Sequence, residues 1–168
     1  MNIHIFEEFH DSVTPEWVRA VVTGVLSVEP EWSDENVSVV IADDESVAEL
    51  NRAHRGLNET TDVLSFSNRH SGKYYGDDKE RTLLGDDTEF VLPPGFSAGL
   101  GEVVVSYPQV ERQAKEAGHT AQKELAIMLA HGILHLLGYD HERQAEAAEM
   151  FSLQDQVMIA LAHDGCPL

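Results

Sequence analysis

Leu125-Ala-Ile-Met-Leu-Ala-His131-Gly-Ile-Leu-His135-Leu-Leu-Gly138-Tyr-Asp-His141 decides what kind of protein this chain makes. Residues 125–130 are apolar nearly all round a helix, which predicts a helix buried on most of its sides. Thr120 supplies an N-cap, and the pattern runs to about Leu137. His131 and His135 are one helical turn apart and project from the same face. His141 comes six residues later and would point away if the helix continued. It joins the other two only if the helix stops and the chain turns back. Gly138 allows that stop, because glycine takes the left-handed conformation without steric cost. Three neutral imidazoles would then face one ion and leave a fourth position for water, the arrangement of a catalytic rather than a structural zinc site. The competing reading is three ordinary core histidines. Burying three imidazoles in a Leu-rich wall without a shared partner would leave several polar atoms unsatisfied.

Outward from this helix, the pattern predicts an α+β fold with α/β-like layers: about four strands in a mixed sheet, packed with about five helices, the histidine helix buried. Residues 2–9 read as a strand with Ile3 and Ile5 on one face. Thr14 and Pro15 start a helix that runs to about Ser27. Val37–Ile41 reads as a buried strand, Asp43–His54 as an acidic amphipathic helix with Val47 and Leu50 inward, and Asp62–Phe66 as another strand. Gly101–Ser106 reads as a strand, and Pro108–Ala117 as a helix stopped by Gly118. A last helix is expected over roughly Glu142–Ala162, with Met150, Leu153, Val157 and Leu161 on one face. Residues 67–99 break the pattern with five glycines and two prolines. They are expected to form a flexible insertion with a small hairpin near Phe90–Leu92, within a single domain over 1–168.

The net charge of −19 opposes general affinity for nucleic acid, because phosphate contacts normally use Lys or Arg. The charge is uneven: residues 52–81 hold six of the eleven bases, Arg52, Arg55, Arg69, Lys73, Lys79 and Arg81. A nucleic-acid contact is expected to involve that segment; a solvated loop of mixed charge is the plainer alternative. The single cysteine, Cys166, excludes an internal disulfide. The N-terminus lacks the basic start and apolar run of a signal peptide, and no stretch approaches the roughly 18 apolar residues of a membrane span. The expectation is a soluble, cytoplasmic protein.

The histidine spacing resembles that of the metzincin proteases, H-E-x-x-H-x-x-G-x-x-H, but Gly132 stands where those enzymes place their general base. Glycine cannot move a proton, so peptide hydrolysis by that route is not expected. There is no P-loop, no dinucleotide-binding glycine pattern, and no His–Asp partner at recognisable spacing for Ser65 or Ser106. Asp140 precedes a ligand and either orients an imidazole or caps the turn. His119 sits at a helix start; His4, His10, His70 and His163 are scattered.

His131–His141 resembles the H-G-x-L-H-L-x-G-Y-D-H signature of the bacterial YbeY family. Leu50-Asn-Arg-Ala-His-Arg55 followed by Thr61-Asp-Val-Leu-Ser-Phe66 is similar to that family's L-N-x-x-[YF]-R…P-T-D-V-L-S-F block. Gly101-Glu-Val-Val-Val-Ser106 running to Gly118-His-Thr120 is similar to G-D-I-x-I-S…G-H-[ST]. The blocks stand in the family's order between about residues 50 and 141. Thr60, Glu102 and His54 depart from its usual Pro, Asp and aromatic residue, and 67–99 is longer than expected.

The resemblance implies a metal-dependent endoribonuclease with one zinc ion per chain on His131, His135 and His141. It implies Arg55 as a catalytic or RNA-binding residue, and single-strand-specific action in 16S rRNA 3′-end maturation and ribosome quality control. The implied partners are ribosomal RNA and the small ribosomal subunit or its basic proteins. A guanidinium at Arg55 suits the task, since it clamps two phosphoryl oxygens. Two alternatives remain open at this point: an assembly factor whose zinc only staples the fold, favoured by the acidic charge, and a metal-dependent hydrolase of another substrate.

Overall fold

The computed structural model describes residues 1–68, 99–141, 143–163 and 165–168. The expected insertion lies almost wholly outside the described residues, as does the hairpin near Phe90–Leu92. Four strands, β1 (Asn2–Ile5), β2 (Val37–Ala42), β3 (Val63–Ser67) and β4 (Gly101–Ser106), form a mixed sheet in the order β1-β2-β4-β3. β1 and β4 flank β2 in parallel, and β3 closes the far edge antiparallel to β4. The helices are α1 (Pro15–Ser27), α2 (Asp44–Arg55), α3 (Tyr107–Ala117), α4 (Ala121–Leu136) and α5 (Gln144–His163).

Local chemistry sets most of these boundaries. Thr14, Asp43, Ser106 and Thr120 each accept a backbone N–H from three residues ahead, capping α1, α2, α3 and α4. One boundary differs from the sequence expectation by more than two residues. The first strand stops at Ile5, and Glu7–Phe9 forms a 3-10 turn rather than continuing to residue 9. Phe6 N–H makes the last bond toward β2, at Ile41 O, and Phe9 N–H then turns back to Phe6 O. The turn tucks Phe9 into the core, its ring 5.1 Å from that of Tyr107.

The sheet is buried on both faces. Val39, Ile41, Val103 and Val105 point into the main core with α1, α4 and α5. Their neighbours Ala42, Leu64 and Val104 point the other way and pack on Val47 of α2. The alternation of strand side chains therefore puts α2 and α4 on opposite faces. α4 is the central helix, touching α1, α3, α5, β3 and β4. Its Leu125, Leu129, Ile133, Leu134 and Leu136 are fully buried. Each such burial stabilises the fold by about 1.5–3 kcal/mol relative to exposure. Among the described residues no helix is long and apolar enough to cross a membrane.

α4 meets the sheet at Gly132. A Cβ added there would lie 2.7 Å from Val103 Cγ1, 3.0 Å from Ser65 Oγ and 3.1 Å from Val63 Cγ2. Ser65 donates from its buried hydroxyl to Gly132 O at 3.0 Å. The absent side chain lets helix and sheet approach closely, and the position expected to matter for what it cannot catalyse is occupied by packing.

Candidate metal centre

The C-terminal end of α4 turns back as the spacing predicts. Gly138 has φ 98° and donates to His135 O, while Tyr139 N–H donates to Leu134 O. This pair of bonds is the Schellman closure of a helix end. It returns the chain so that the rings of His131, His135 and His141 face one another, with centroid separations of 4.7, 5.2 and 5.2 Å. One nitrogen from each ring lies within 4.8 Å of the others. All three residues are partly buried.

The outer nitrogens are held by acceptors. His135 Nδ1 lies 2.9 Å from Tyr139 O, and His131 Nδ1 lies 3.3 Å from Gln154 Oε1 on α5. A carbonyl oxygen cannot donate, so both imidazoles must donate from Nδ1. Their Nε2 atoms are then bare, and these stand 3.1 Å apart. Two lone pairs at that distance repel unless a proton or a cation lies between them. Protonation is disfavoured: burial, with His131 and His141 adding to it, pushes His135 down to about 4. Burial, reinforced by His141, lowers His131 as well. Neutral imidazoles with converging bare nitrogens and hydrogen-bonded outer nitrogens are the donor set that a zinc-type ion takes. The residues fit such an ion.

These shifts carry a pH consequence. An unfolded His titrates near 6.5 and folded His135 near 4, so between these values the unfolded chain binds more protons. In excess chelator, stability is expected to fall as pH drops through that window, by about 2 kcal/mol at pH 5 from His135 alone. Urea midpoints at neutral pH and at pH 5 check this; a flat profile would contradict neutral, buried imidazoles.

Asp140 accepts from the backbone N–H of His141 at 2.7 Å. Its carboxylate thus holds the main chain that carries the third histidine. His119 is engaged elsewhere, bonded through Nε2 to the buried carboxylate of Glu124.

Arg55 ends α2, just before the left-handed Gly56, and so belongs to the opposite face of the sheet from α4. Buried Asn51 donates to Glu59 O at 2.8 Å, fastening α2 to the segment that enters β3. The His54 ring lies 4.8 Å from that of Phe66, so this departure from the family pattern keeps a ring-to-ring contact. β3 then packs on α4 beside Gly132.

The sequence reading missed three neighbours of the site. Gln154 receives His131, Phe151 lies against the His141 ring, and Glu29 accepts from Tyr139 Oη at 2.6 Å. Only Gln154 had a signal, an amide set in the apolar stripe of α5. Glu29 and Phe151 had none, since an acid outside any periodic segment and an exposed aromatic carry no periodicity.

Fold and site together define an α+β protein built around a three-histidine centre able to hold a metal ion. The family model described as endoribonuclease YbeY matches residues 4–162. The chain belongs to the YbeY family. A Dehalococcoides mccartyi protein (strain CBDB1) named endoribonuclease YbeY is 39% identical over 163 residues, covering 97% of this chain and 92% of its own. A Roseiflexus relative of the same name is 34% identical over 162 residues, covering 96% and 92%. The solution structure of a Thermotoga maritima protein is similar, with a TM-score of 0.56 and 26% identity, over 96% of this chain and 90% of that one.

Proposed function

We propose that this chain is a zinc-dependent endoribonuclease that cleaves single-stranded RNA and acts in 16S rRNA 3′-end maturation and ribosome quality control. The observation that carries the reading is the pair of bare Nε2 atoms 3.1 Å apart, with the third imidazole beside them. Membership of the YbeY family directs it to RNA. His131, His135 and His141 would hold one zinc ion per chain. When bound, that ion supplies a Lewis acid and a water of lowered pKa. The chain's own residues do the rest. Burial holds His131 and His135 neutral, Asp140 holds the backbone of His141, and Arg55, assigned by the family block in which it stands, neutralises charge that builds on the phosphoryl oxygens.

Arg55→Ala is expected to retain full zinc content and to cut the cleavage rate by about 100-fold or more. Single-turnover cleavage of a short single-stranded RNA, beside elemental analysis, tests this. Unchanged cleavage would remove Arg55 from the mechanism.

The net charge of −19 supports weak, salt-sensitive binding to free RNA, with specificity supplied by ribosomal RNA in the context of the small subunit and its basic proteins, in the cytoplasm. The same charge favours a second reading, an assembly factor whose zinc only stabilises the fold. A metal-replete preparation with no nuclease activity, whose metal-free form unfolds, would select it. The family match over 4–162 supports reading 1–168 as one YbeY-like domain with 67–99 as an insertion.

A further inference from the structure

The buried stripe of α5 is Met150, Val157 and Leu161, packed with α1 and α4. Gln154 lies along that stripe, four residues after Met150 and three before Val157, and is itself partly buried. An amide at such a position costs the desolvation of its polar atoms unless a partner meets it. Its partner is His131 Nδ1, at 3.3 Å from Oε1. Because Oε1 only accepts, this contact selects the Nδ1–H form of His131 and leaves Nε2 bare toward His135. His135 draws its own acceptor, Tyr139 O, from the turn that ends its helix. His131 instead depends on a side chain from a separate element. Three residues earlier on α5, Phe151 lays its ring within 16° of parallel to that of His141, at 6.1 Å. One helix therefore backs two of the three imidazoles.

We propose that Gln154 is a positioning residue for the metal centre: it fixes the tautomer and orientation of His131 and so sets how tightly the chain holds its ion. The proposal rests on the zinc-binding reading above and adds that the docking of α5 and the retention of zinc are coupled. An unmatched His131 would share its proton between two nitrogens and lose the preference for the ligating form.

Competition with a chromogenic zinc chelator on the full chain tests this, comparing the parent with Gln154→Leu and Gln154→Glu. Leucine keeps the volume and removes the acceptor, and it is expected to weaken zinc binding by about 10–100-fold. Glutamate keeps an acceptor and is expected to restore binding to the parent's level or better. In excess chelator the melting midpoint of Gln154→Leu is expected to equal or exceed the parent's, since an apolar residue suits the stripe. Long-range proton–nitrogen spectra of the metal-free protein are expected to show His131 mainly as Nδ1–H in the parent and as a mixture in Gln154→Leu. Zinc affinity of Gln154→Leu within about twofold of the parent would overturn the proposal, being far below what loss of an outer-layer partner produces. So would a weakening that follows a lowered metal-free midpoint and is shared by Gln154→Glu. A parent chain that binds no zinc would instead sink the reading on which the proposal stands.

Discussion

His135→Ala protein is expected to purify with less than about a tenth of the zinc carried by the parent chain, and to have no measurable RNA cleavage. His135 is the middle histidine of the three in sequence, and both its ring nitrogens are engaged. Its Nδ1 is held by Tyr139 O and its Nε2 faces that of His131 at 3.1 Å. Alanine removes one donor from three, and two imidazoles alone hold zinc poorly against water and buffer. The repulsion between the bare nitrogens disappears with the ring, so the metal-free variant is expected to fold at least as well as the metal-free parent. His4→Ala is the matching control. That exposed residue sits on β1 with its ring against Phe6, and its loss is expected to leave zinc content unchanged. Elemental analysis comes first and cleavage second, on the same preparations. Zinc retained at one ion per chain in His135→Ala would place the metal elsewhere. Full cleavage by protein shown to be metal-free would end the metal-dependent mechanism.

The second large effect is expected at Gly132. Gly132→Ala must displace Val103, Ser65 or Val63, whose atoms already crowd the space a Cβ would take. Overpacking of this kind costs about 1–3 kcal/mol. Gly132→Glu adds a carboxylate to a close helix–sheet contact lined by Val103, Ser65 and Val63. Its cost is expected to exceed about 3 kcal/mol, so that folded protein is scarce. The substitution that restores the metzincin string would therefore not create a peptidase. It would separate α4 from β3 and β4, and the two histidines on either side of Gly132, His131 and His135, would move with the helix. Thermal midpoints of both variants, with a proteolysis assay and a chelator control, check this. A Gly132→Glu protein that melts like the parent would contradict the close approach.

The metzincin comparison shows how far spacing alone carries. His131, His135 and the turn at Gly138 were legible because helix periodicity and the conformational freedom of glycine act within a few residues. What Gly132 does was not. Its absence of a side chain reads as missing chemistry along the chain, and as room for Val63, Ser65 and Val103 in three dimensions. Arg55 shows the same limit. Its block of sequence was recognisable, but its place across the sheet follows from the alternation of Leu64 and Val104 against Val103 and Val105.

Taken alone, the sequence determined the helices capped at Thr14 and Thr120, the buried character of α4, and the convergence of three imidazoles around one turn. These follow from hydrogen bonds and side-chain periodicity inside single elements. Tertiary structure alone decided the strand order, the antiparallel edge at β3, the shortening of β1 by the turn at Phe6–Phe9, and the pairing of His131 with Gln154. Those depend on which surfaces meet across long stretches of chain, and contact between distant residues leaves no period in the sequence to read.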